Sequence, residues 1–207
     1  MKRILSFLSA MMFAVSALAQ SPREIIVRME AEMDKHADEG IILTLDTKVP
    51  ILGTVTMRIH SRGEKSRSDI SMKGQQVTSW TDGVTQWTYT SRTNTVTIAP
   101  VVGSEAAENG DMALLTGIND GYDATLAKET DDAWHIECRK SASNADKDAP
   151  KKMELVVNKG TYHPRSLKTK VKGLTVTMRD VSFGVSEKYV TFNLNDYPGA
   201  VVEDERD

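Results

Sequence analysis

The chain has 207 residues, 40% of them apolar and 27% charged, with a formal net charge of −3 and a single cysteine. That balance is too apolar for a disordered chain, and the length supplies one domain with its own core or at most two small ones. It excludes the basic footprint of a nucleic-acid binder, an internal disulfide framework and any multi-thiolate metal site.

Residues 1–19, MKRILSFLSAMMFAVSALA, read as a signal peptide: Lys2 and Arg3 lead an apolar run, and Ala17-Leu18-Ala19 offers a small-x-small cleavage site before Gln20. The run is shorter than the ~20 apolar residues that span a bilayer. No cysteine follows the cleavage site, so no lipid anchor is expected and the mature chain is expected to be secreted and soluble. Residues 22–37 have a helical pattern. Ser21 can cap, Pro22 suits the first turn, Glu24 completes a capping box, and Ile25, Ile26, Met29 and Met33 form one apolar stripe.

From residue 41 the period changes to two. Strands are predicted over 41–49, 54–60, 66–72, 76–81, 85–90, 94–99, 122–128, 133–140, 152–158, 165–172, 174–183 and 188–194, many of them punctuated by Gly, Asn, Asp or Pro. A short helix capped by Asp111 is predicted before Gly117, carrying Met112, Leu114 and Leu115. Residues 141–150 read as a polar hairpin loop, and 203–207 as an acidic tail. About a dozen alternating strands imply an antiparallel sheet curled into a sandwich or barrel. No linker divides it.

Catalytic patterns are missing from the sequence. There is no GxSxG, P-loop or GxGxxG, and His36, His60, His135 and His163 show no metal-ligand spacing, so no metal, no cofactor and no enzymatic activity are expected. Cys138 alternates with Trp134 and Ile136 and reads as a buried small hydrophobe. The alternation assigns Leu43, Leu45, Val55, Met57, Ile59, Ile70 and Met72 to the inside, together with Val96, Ile98, Ile136, Leu155, Val157, Val176 and Met178. Such a lining can be a filled core or can enclose an apolar cavity, and on composition alone the packed core is the default.

Two stretches resemble a known family. Trp80-Thr81-Asp82-Gly83-Val84-Thr85-Gln86-Trp87-Thr88-Tyr89, followed by Asn94-Thr95-Val96-Thr97-Ile98, is similar to the strand–DG-turn–strand signature of the LolA family. Phe192-Asn193-Leu194, Pro198-Gly199-Ala200-Val201-Val202 and Asp204 are similar to its closing stretch. The order of elements agrees: signal peptide, amphipathic helix, strands, and a short helix after the Trp–Tyr hairpin. The resemblance spans about residues 22–207.

It implies a mainly β fold: an incomplete, half-open antiparallel barrel of about 11–12 strands with a lid of two or three α-helices. Residues 20–207 would then be a single LolA-like lipid-binding domain. The implied function is a periplasmic carrier that shields lipoprotein acyl chains and delivers them to the outer membrane. The implied partners are acylated lipoproteins or another lipid, an inner-membrane lipoprotein-release transporter and an outer-membrane acceptor, with the carrier a monomer. The inward residues, joined by Trp87, Tyr89, Met112 and Leu115, would line the cavity and lid. The family's basic Arg-Pro latch is absent from His60-Ser61-Arg62-Gly63-Glu64-Lys65-Ser66-Arg67, which leaves Arg62 and Arg67 as the candidates for latching a lid. The alternatives are a carrier of another lipid, or a non-enzymatic periplasmic interaction or stress-sensing module.

Overall fold

The computed structural model describes residues 20–72, 74–101, 115 and 117–206. The expected signal peptide, and the helix expected from Asp111 with its Met112, lie outside them. Helix α1 spans Pro22–Lys35 and starts as its sequence dictates. The Ser21 hydroxyl accepts from the Glu24 N–H at 3.2 Å, and the Glu24 carboxylate accepts from the Ser21 N–H at 2.8 Å. Its four apolar stripe residues are all buried. A 3₁₀ turn at Ala37–Glu39 leads into the sheet.

Gly40 is the joint between helix and sheet. It has φ +77°, and a Cβ there would stand 2.5 Å from the Ser61 carbonyl oxygen and 3.0 Å from the Val185 side chain. Only glycine accepts both the left-handed backbone and the close approach.

Twelve strands follow: β1 (Ile41–Val49), β2 (Gly53–Arg62), β3 (Lys65–Met72), β4 (Gln75–Thr81), β5 (Thr85–Thr90), β6 (Thr95–Pro100), β7 (Tyr122–Glu129), β8 (Ala133–Lys140), β9 (Lys152–Asn158), β10 (Pro164–Val171), β11 (Leu174–Phe183) and β12 (Val201–Asp204). One turn of helix, α2 (Ile118–Gly121), precedes β7. The strands form one sheet, ordered β12-β6-β5-β4-β3-β2-β1-β11-β10-β9-β8-β7. Its edges, β12 and β7, do not pair, so it is the half-open antiparallel barrel with helical cover that the resemblance implies. The inner face packs on α1: Ile25, Ile26, Met29 and Met33 share one core with Leu43, Leu45, Leu155 and Met178.

Two expectations need correction. Residues 188–194 are not a strand. The chain there makes 3₁₀ turns at Glu187–Val190 and Leu194–Asp196. Aromatic residues bind this segment across the sheet rather than along an edge: Phe192 stacks on Trp87 at 5.5 Å, and Tyr197 lies 4.3 Å from Tyr89. The expected acidic tail instead begins as β12, whose Val201–Asp204 pair with Thr95–Ile98 of β6 in parallel, the one parallel pairing among the described strands.

Candidate functional site

One row of side chains crosses the inner face. Val77 faces Ile70, Ile70 faces Met57, Met57 faces Leu45 and Leu45 faces Met178. The row continues through Leu167, Leu155 and Ile136 to Leu126. Its middle is closed under α1: from Leu45 to Ile136 every member is buried, and Met178 is 0% exposed. Beyond that cover the row opens. Met57, Ile70 and Val77 are half-buried and Leu126 is exposed.

The other expected inner residues follow the same gradient. Leu43 and Ile59 pair with each other and are buried, as are Val157 and the core residue Leu115. Val55 and Val176, both paired with Thr47, are half-buried. Met72 was expected inside but is 41% exposed. It ends β3 opposite Gln75, where the sheet runs past its helical cover. At the same end the β1–β2 turn exposes Leu52 and leaves Ile51 fully exposed at φ +70°.

Four expected lining residues belong to the opposite face. No register shift intervenes between β2 and β6, so Ile70 and Val77 fix the inner side and Trp80 lies on the outer one. Trp87 faces Trp80, Tyr89 faces Thr78, and Val96 and Ile98 face Tyr89 and Trp87. They form a second, outer apolar site covered by the C-terminal segment. The hairpin between β4 and β5 turns as predicted: Gly83 has φ +88°, and Asp82 accepts from the N–H groups of Thr85 at 2.7 Å and Val84 at 3.0 Å. Those bonds, the Thr85 one foremost, hold the Asp82 carboxyl below its ordinary range.

The two candidate latch arginines serve the same C-terminal segment rather than α1. Arg62 donates to the Val185 carbonyl at 2.9 Å. Arg67 forks onto the Asp69 carboxylate, at 2.8 Å from Nη2 and 3.0 Å from Nε, and its guanidinium lies 4.2 Å from the Tyr189 ring centre and 5.2 Å from Trp80. A cleft of about 210 Å³ opens beside Arg67, Trp80, Lys188, Tyr189 and Tyr197.

A larger cleft, about 410 Å³, lies between α1, α2 and the β7 edge, lined by Arg23, Ile26, Asn119, Tyr122, Ala124 and Ser143. It reaches the inner core through Ile26 and Ala124. Glu30 on α1 accepts from the Asn119 N–H at 3.2 Å, and burial raises its pKa above the ordinary carboxylate value. Cys138 is buried, and burial pushes its thiol up to about 11, which suits packing and not nucleophilic attack. The histidines do not stay isolated: His36 and His163 meet beside Glu32. Ring contact across a long sequence separation has no signature in spacing, so sequence reading missed it.

No protein-family model and no curated protein matches the chain. Solved structures similar to it include an uncharacterised conserved protein from Thermus thermophilus, at 14% identity and TM-score 0.48 over 86% of this chain and 98% of that one. LprF from Mycobacterium bovis is similar at 9% identity and TM-score 0.48, over 81% and 96%. A LolA superfamily protein from Nitrosomonas europaea is similar at 14% identity and TM-score 0.33, over 84% and 99%. At such values the function of this chain rests on its own geometry.

Proposed function

We propose that the protein is a periplasmic carrier that shelters acyl chains on the inner face of its half-open sheet, with lipoproteins as cargo bound for the outer membrane. The observation that supports this reading is the gradient along the inner row. An aliphatic surface that is dry under α1 continues, without a polar break, into the half-exposed Met57, Ile70 and Val77. An acyl chain laid along it would recover roughly 0.8 kcal/mol for each CH₂ removed from water. The LolA-like Asp82-Gly83 hairpin and closing stretch support the same reading. A transporter that releases lipoproteins and an outer-membrane acceptor are the partners it calls for.

A second reading, an interaction module with a filled interior, is favoured by the complete burial of Leu43, Leu155 and Met178. Organic extraction of the purified protein followed by mass spectrometry separates the two. The carrier should release stoichiometric lipid or acylated peptide, and should quench or shift a fluorescent fatty acid in titration. A lipid-free extract together with no response to the fatty acid would overturn the carrier.

A further inference from the structure

Glu32 lies in the last turn of α1 and His36, four residues on, is its C-cap, so the two side chains meet at the end of the helix. His163 reaches the same place from the β9–β10 connection. The ligand-capable atoms of the three all lie within 4.8 Å of one another, and all three residues are half-buried. His36 Nε2 is 3.9 Å from Glu32 Oε1. Phe183, the last residue of β11, fixes both rings: it stacks on His36 at 4.3 Å and 14° and meets His163 edge-on at 5.0 Å.

The surroundings orient two of the three groups. His36 Nδ1 is 3.0 Å from Glu39 Oε1. A carboxylate there takes the Nδ1–H, which leaves the Nε2 lone pair aimed at Glu32 and His163. Lys35 Nζ donates to Glu32 Oε2 at 2.5 Å, which leaves Oε1 as the carboxylate oxygen that faces His36 Nε2.

We propose that Glu32, His36 and His163 form a transition-metal site, with Zn²⁺ the best fit and Glu39 as the positioning residue for His36. Two imidazoles and one carboxylate are a borderline N/O set, which suits Zn²⁺ and disfavours Ca²⁺ and Mg²⁺, which take all-oxygen shells. Ligand bonds of about 2.0–2.2 Å put tetrahedral ligands about 3.3 Å apart, so the site closes by rotamer adjustments under ~1–2 Å. Three protein ligands leave the fourth position to water. The ion would tie the C-terminal turn of α1 to the β9–β10 connection and so pin the helix against the sheet. This site does not depend on what occupies the inner face.

The test uses tag-free protein stripped with EDTA and titrated with ZnCl₂ by calorimetry, with Co²⁺ absorption as a second readout. One equivalent should bind and raise the melting temperature. His163→Ala and Glu32→Gln should each weaken binding by about 100-fold or abolish it, Glu39→Gln by about 10-fold, the scale of a lost outer partner. His135→Ala, on β8, should leave binding unchanged, and circular dichroism confirms which variants fold. Wild-type protein that binds Zn²⁺ no more tightly than His163→Ala, or binding that is lost with His135→Ala, overturns the site.

Discussion

His60 lies on the outer face beneath Tyr189, ring centres 4.5 Å apart, and its Nδ1 has no hydrogen-bond partner among the described residues. Burial, helped by the nearby Arg58 and Arg67 and opposed by Asp69, lowers its pKa below 6.5. In the window between the lowered folded value and the unfolded value, the unfolded chain binds more protons. Stability therefore rises with pH there, and falls on acidification below about pH 6.5 by at most ~1.4 kcal/mol per pH unit. Urea unfolding between pH 5 and 7 should show that slope, and His60→Phe should flatten it. An unchanged slope in the variant would assign it to other groups. This residue illustrates what sequence reading can and cannot reach. Alternation places His60 opposite Ile59, but the cover that buries it comes from Tyr189, far along the chain. The meeting of His36 with His163 is hidden for the same reason.

At the scale of elements, local signals were legible where local physics decides. The Ser21–Glu24 capping box starts α1, and β1, β5, β8, β9 and β11 run over the residues at which alternation begins and ends. Face assignment was not legible on β5 and β6. Alternation says that Trp87 and Tyr89 share a face, but which face that is depends on register against β4. Segment 188–194 alternates like a strand, yet Phe192 packs on Trp80 and Trp87 and Tyr189 on His60 and Arg67 instead of joining a backbone ladder. Phe192, half-buried between Trp80 at 5.4 Å and Trp87 at 5.5 Å, should anchor that segment. Phe192→Ala should cost about 2 kcal/mol, below the full-burial range because the ring is partly exposed. The loss should come with a red-shifted tryptophan emission in the folded state, as Trp80 and Trp87 meet water. Unaltered emission and melting would detach the segment from the stability of the outer face.

For the whole molecule, the question is where packing ends and a binding surface begins, and the inner row offers two methionines that divide on it. Met57 and Met178 flank Leu45 in the same row, yet Met178 is wholly buried under the helical cover and Met57 is half-buried beyond it. Met is unbranched and adaptable, so either could receive an acyl chain, and burial decides between them. Met178→Asp would place a carboxylate among Leu45, Leu167 and the α1 stripe with no partner. That costs several kcal/mol, enough to unfold a domain whose total stability is roughly 5–15 kcal/mol. Met57→Asp leaves its carboxylate in reach of water. It should lower stability by about 1 kcal/mol, keep the far-ultraviolet circular dichroism of the parent, and lose whatever lipid the parent carries. The pair is read by thermal melting together with lipid content after purification. Unfolding of both variants would mean that the apolar row is core along its whole length and would favour the filled module. A folded Met57→Asp that still carries the parent's lipid would move the binding surface off this row.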